Sequence, residues 1–259
     1  MAEQIYNSIP FTTIIFATCL TLGFVSLFRW RIVKRLCYTL LAVCFAALTL
    51  CLILRWIIAQ HIPMSNSYET MLVLAWLIQL LTLMVSRRFS IMLTFGLLMS
   101  GFFLLVSHFS FMDPEMSHMM PVLQSPLLAL HVSIIMMAYA LLSITFICGV
   151  TGLIVPKLRD QLQLLSRIML YPALTTLGIG IFLGAIWANI SWGTYWSWDA
   201  KESWALITFM TYAVAAHTQS LPRLQRPVAY HTFMTLAFLV LLMTYFGVNY
   251  LLGGMHSYA

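Results

Sequence analysis

The sequence predicts an all-α integral membrane bundle of about eight membrane-spanning helices, with both termini on the external side, and three observations predict it. Hydrophobic residues make up 62% of the 259 positions and charged residues only 8%, whereas a soluble domain carries about 25% charge. The apolar stretches run to about 20 residues, the length at which an α-helix crosses a hydrocarbon core, while barrel strands are shorter and alternate. Basic residues cluster after every second stretch.

Spans are expected at about 9–28, 36–58, 69–86, 90–107, 127–155, 168–189, 202–221 and 229–252. The first has no cation before it and is followed by Arg29, Arg31, Lys34 and Arg35, the pattern of an anchor that starts outside and not of a cleaved leader. Along the second, Cys37, Cys44 and Cys51 recur on roughly one face; with Cys19 and Cys148, and no C-x-x-C, they read as packing residues and support neither a disulfide framework nor a zinc site. The third opens on the polar turn H-I-P-M-S-N-S-Y-E, where Ser65 or Asn66 can cap the helix but Tyr68 and Glu69 are left without a reason. Arg87 and Arg88 follow it. The fifth begins within L-Q-S-P-L-L-A-L-H-V and is followed by Lys157, Arg159 and Arg167; Arg223 and Arg226 follow the seventh.

The positive-inside rule makes these basic connections cytoplasmic. Eleven of the thirteen cations then lie inside, leaving Arg55 and Lys201 toward the outer face, and Asp160 is the one acid of seven inside. The segments near 59–68, 108–126 and 190–201 are external. Cations dispersed among helix ends exclude a nucleic-acid partner; the expected surroundings are a lipid bilayer. With no internal repeat, low-complexity tract or soluble region, residues 1–259 read as a single membrane domain.

Within it, the external stretch W-A-N-I-S-W-G-T-Y-W-S-W-D-A-K-E-S-W, Trp187 to Trp204, gathers five of the eight tryptophans around Asp199, Lys201 and Glu202. Indoles offer wide rigid faces, and an ordinary interfacial belt spreads them over many helix ends. Concentrated here, Trp192, Tyr195, Trp196, Trp198 and Trp204 suggest a platform for a large flat ligand, haem first among the candidates. The plain reading of Asp199 and Glu202 is capping of the following helix. His131 and His256 share the level of this loop and suit two axial positions on haem iron, although a lone interfacial histidine is more often solvated. His217 lies near the inner end of the seventh span and is a second-site candidate; His231, on the same side, reads as interfacial. His61, His108 and His118 read as solvated. Propionates need cations at the outer interface, which nominates Arg55 and Lys201.

These residues resemble the CcsA (ResC) family of the system II cytochrome c maturation pathway, one of the haem-handling groups that share a tryptophan-rich WWD motif. The motif reads W-G-T-Y-W-S-W-D-A-K-E-S-W here, with P-M-S-N-S-Y-E at 63–69, L-Q-S-P-L-L-A-L-H-V at 123–132 and F-G-V-N-Y-L-L-G-G-M-H-S-Y at 246–258 flanking it. The likeness covers roughly 60–259, leaving residues 1–59 as poorly matched amino-terminal spans, and Ala200 and Leu127 depart from the family's pattern. The resemblance implies export of haem b and its attachment to the C-x-x-C-H thiols of apocytochrome c, as one subunit of a holocytochrome c synthase with a CcsB (ResB) membrane partner. It places the external iron ligands at His131 and His256 and the membrane histidine at His217. The setting implied is a multi-pass protein of the bacterial inner membrane, or of the thylakoid. Haem delivery without attachment, as in system I relatives, and a HemX-like regulator are the alternatives.

Overall fold

The computed structural model describes residues 3, 4, 6, 10–27, 31–109, 112–115 and 124–252, with no strand among them. A helix occupies each expected span: α1 Phe11–Val25, α2 Arg31–Ala59, α3 Ser67–Ser86, α4 Ile91–Val106, α5 Pro126–Ile154, α6 Arg159–Trp192, α7 Ala200–Ala216 and α8 Pro227–Leu242, which runs on into a π-helical segment, Met243–Leu252. Length and apolar composition suit α2, α3, α5, α6 and the continuous α8 with its extension to crossing a membrane; α1 and α4 are shorter apolar helices. Large apolar side chains such as Phe182 and Ile190 on α6 stand exposed, as a surface covered by lipid requires.

Local chemistry sets the helix ends. Of the two expected caps for α3, Asn66 is the one used: its backbone is extended and its side-chain oxygen accepts the Glu69 N–H at 2.9 Å. Asn66→Ala is expected to cost about 1 kcal/mol, read as a lower midpoint of thermal unfolding in detergent. Pro126 and Pro227 open α5 and α8 at positions where a missing N–H costs nothing. Gly193 ends α6 with φ +80°, and no atom lies within 4 Å of where its Cβ would stand, so conformation and not space requires glycine there.

The contacts divide the chain into two compact units, Met1–Gln124 and Ser125–Ala259, where the sequence read as one domain with a change of character near residue 59. In the first, α1 packs on α2 and α4, and α3 packs on the same two. Cys19, Cys37, Cys44 and Cys51 are buried as free thiols in this unit, as packing residues should be.

Arg55 requires a correction. Expected at the outer face as a propionate partner, it is fully buried and paired with Glu69 at 2.9 Å. Its Nε donates to Glu69, Nη1 to the Tyr6 hydroxyl and the Pro114 carbonyl, and Nη2 to Glu69 and Pro114, which uses every guanidinium N–H. The rings of Tyr68 and Tyr6 lie 5.0 and 5.6 Å from its central carbon. Glu69's other oxygen takes the Ser65 N–H and hydroxyl at 2.9 and 2.7 Å, which supplies the reason the sequence lacked for Glu69 and Tyr68.

In the second unit α5 packs on α6 and α8, and α7 packs on the same two. The starts of α5 and α7, the end of α6 and the π-helical segment therefore share one end. The opposite end carries the start of α8, where His231 is buried. Its Nε2–H donates to the Arg159 carbonyl at 3.0 Å, and its ring fills the slot left by the missing side chain of Gly152.

Candidate functional site

The site is built on α6, whose glycines make room for a neighbour. His131, in the second turn of α5, lays its ring over Gly184: a Cβ there would meet Cε1 at 2.7 Å. The same ring places Nδ1 2.7 Å from the carbonyl oxygen of Gly180, one turn earlier. A carbonyl can only accept, so Nδ1 carries the proton and the lone pair of the neutral imidazole is at Nε2. Such a backbone bond on one ring nitrogen is how proteins fix which nitrogen meets a metal. Gly184 precedes Trp192 by eight residues, about 12 Å along the helix. His131 thus belongs to the tryptophan end of its unit.

The tryptophans divide by exposure. Trp187 is buried, its ring 4.8 Å from that of Trp192 and edge-on to it. Trp192, Trp196 and Trp204 are half-buried, whereas Tyr195 and Trp198 are 60% and 71% exposed and form the outward part of the loop. Asp199 caps α7 by accepting the Glu202 N–H at 2.8 Å, and the Glu202 carboxylate reaches back to the Asp199 N–H, a reciprocal box of the kind expected from D-A-K-E. Lys201 is half-buried and donates to the Asn249 side-chain oxygen at 2.8 Å, tying the start of α7 to the π-helical segment. Thr244 in that segment adds bonds to the Trp204 carbonyl and the Thr208 hydroxyl.

His217 is placed apart from this end. It caps the C-terminus of the 17-residue α7, about 25 Å from the loop, where it is exposed and donates Nδ1–H to the Ala213 carbonyl. His256 and His118 lie outside the described residues. His61 is half-buried against the Ile62 carbonyl, and His108 is exposed but bonded to Leu104 and Thr13.

Residues 64–256 match the family described as Cytochrome C assembly protein. The chain is 41% identical over 230 residues to Protein NrfI of Wolinella succinogenes, an alignment covering 83% of this chain and 25% of that protein. It is 32% identical over 251 residues to the cytochrome c biogenesis protein CcsA of Prochlorococcus marinus strain MIT 9301, with 82% of this chain and 80% of the relative covered. The CcsA protein of Chlamydomonas reinhardtii is 35% identical over 231 residues, 82% of this chain and 65% of the relative. The chain belongs to the CcsA family. A solved structure, Cytochrome c Heme Lyase CcmF, shares the fold with a TM-score of 0.71 at 18% identity, over 91% of this chain and 45% of that one.

The CcsA-family match takes in the tryptophan loop, His131, His217 and His256 and begins beyond Arg55. Membership gives this membrane protein a role in cytochrome c maturation. Gly180, Gly184 and Asn249 escaped the sequence reading. The G-I-F-L-G spacing at 180–184 marks a close helix contact and was a usable signal for the first two; nothing near Asn249 announces its lysine.

Proposed function

We propose that this protein carries haem b across a membrane in eight crossings, holds it at the tryptophan end of the second unit, and presents it for thioether attachment to apocytochrome c with a CcsB-type partner. The membrane is the bacterial cytoplasmic membrane or a thylakoid. The observation that carries this reading is His131, whose Nδ1–H bond to Gly180 puts the coordinating lone pair on Nε2. The exposed rings of Tyr195 and Trp198 supply flat apolar contact in the same unit. Trp192, Trp196 and Trp204 back them, Asp199 fixes the loop's exit, and Lys201 offers the cation that a propionate pairs with. His256 is the second axial ligand, and His217 receives haem at the inner end.

Two imidazoles would fill both open positions on the iron and keep oxygen from binding there. Attachment adds each thiol S–H across a vinyl C=C, so carbon–sulfur and carbon–hydrogen bonds form without an oxidant. No acid or base of this chain has to move that proton, and the main contribution of the protein is orientation.

Purified protein given haemin and dithionite is expected to show the visible bands of ferrous bis-imidazole haem, and His131→Ala and His256→Ala each to lose them. Co-expression with a CcsB-type protein and a reporter apocytochrome is expected to yield haem-stained cytochrome. Wild-type protein without such bands overturns the reading. Bands without cytochrome, partner present, establish delivery without attachment.

A further inference from the structure

Trp198 has φ +58°, in the left-handed region that bulky side chains avoid. A residue held there needs its surroundings to enforce it, and such outliers gather at functional sites. One atom accepts bonds from both sides of Trp198. Oε2 of Glu202 accepts the N–H of Ser197 at 2.8 Å, the N–H of Asp199 at 3.3 Å and the Ser197 hydroxyl at 3.3 Å. The amides before and after Trp198 thus converge on one carboxylate oxygen. The carbonyl of Trp198 itself accepts the Ser203 hydroxyl at 3.3 Å. Pinned on both sides, the backbone turns the indole outward, 71% exposed, with its ring 5.7 Å from that of Trp196 and nearly perpendicular to it.

Capping alone does not call for this geometry. A box needs Glu202 to reach only the Asp199 N–H; the bonds to Ser197 are additional, and their effect falls on the residue between. We propose that Glu202 is a positioning residue, whose carboxylate holds the loop backbone on both sides of Trp198 and so keeps that indole standing out against the porphyrin face. This rests on the reading of the loop as a haem platform. An amide in place of the carboxylate presents the two N–H groups with a weaker acceptor, because hydrogen bonds to a charged partner are about twice as strong.

Four proteins test it: wild type, Glu202→Gln, Trp198→Gly and the double variant. Without haem, the near-ultraviolet circular dichroism contributed by Trp198 is the difference between wild type and Trp198→Gly; Glu202→Gln is expected to lose that contribution, and the double variant to lose nothing more. With haem, transfer to excess apomyoglobin is expected to be about tenfold faster for Glu202→Gln, similar for Trp198→Gly, and no faster when both are combined. The band positions stay those of wild type, since neither change touches an imidazole. Trp198→Gly is also expected to melt higher than wild type, because glycine adopts this backbone without strain. A Glu202→Gln protein that keeps the Trp198 signal, or rate effects that multiply in the double variant, overturns the proposal. Wild-type protein that takes up no haem overturns the platform reading instead, and the haem-free spectra still decide whether Glu202 holds Trp198.

Discussion

Replacing Gly184 with leucine is expected to remove the ferrous haem spectrum as fully as replacing His131, although Gly184 brings no ligand atom. The first carbon of any side chain at 184 would stand 2.7 Å from Cε1 and 3.0 Å from Nδ1 of His131, closer than non-bonded atoms come. The backbone of α6 cannot give way without breaking its own hydrogen bonds, so the imidazole must leave its place. When it does, the bond from Nδ1–H to the Gly180 carbonyl goes with it, and with that bond the choice of tautomer and ring plane. Loss of such support costs about 10–100-fold in metal affinity, and leucine, which also fills the space, belongs at the upper end. Alanine at 184 should fall between. Gly178 is the control on the same helix: its added Cβ would meet Phe209 at 3.4 Å, an ordinary contact, so Gly178→Ala should titrate with haemin like wild type. Leucine at 184 with wild-type haem affinity would remove His131 from the site.

What the sequence disclosed followed from patterns shorter than one helix. Apolar runs located the eight helices α1 to α8, and D-A-K-E and S-N-S-Y-E located two caps, because hydropathy and capping act within a few residues. What stayed hidden are the pairings between helices. Arg55 lies near the end of an apolar run and so read as surface; only the packing of α2 on α3 shows that Glu69 meets it and that both are dry. The burial of His231 was equally hidden, because the slot that takes its ring is at Gly152 on another helix. At the site, residue types were legible and their settings were not. Tryptophan gives no hint of a left-handed backbone, as glycine would at the same position, because the strain at Trp198 is imposed by Glu202 from four residues away. The tautomer of His131 is set by a backbone carbonyl, which has no letter in the sequence.

The second large effect is expected in the first unit. Replacing either Arg55 or Glu69 by leucine should cost about 3–5 kcal/mol, because each leaves a buried charge without its counter-ion. The two single losses need not be equal. In Arg55→Leu, Glu69 keeps the Ser65 N–H and hydroxyl, two donors that go on stabilising the carboxylate. In Glu69→Leu, the guanidinium keeps neutral acceptors, the Tyr6 hydroxyl and the Pro114 carbonyl, and the ring faces of Tyr6 and Tyr68. The groups that remain are neutral in both cases, so neither single variant has a charged partner to offset the burial and both should fall in that range. Replacing both removes both charges, and the double variant should recover most of the loss, as apolar replacements of buried ion pairs commonly do. Thermal unfolding in detergent, followed by loss of the monodisperse fraction, measures all three. If the double variant is as unstable as the sum of the singles, the ion pair is not what holds Arg55 inside, and the Tyr6 and Pro114 bonds must carry that role alone.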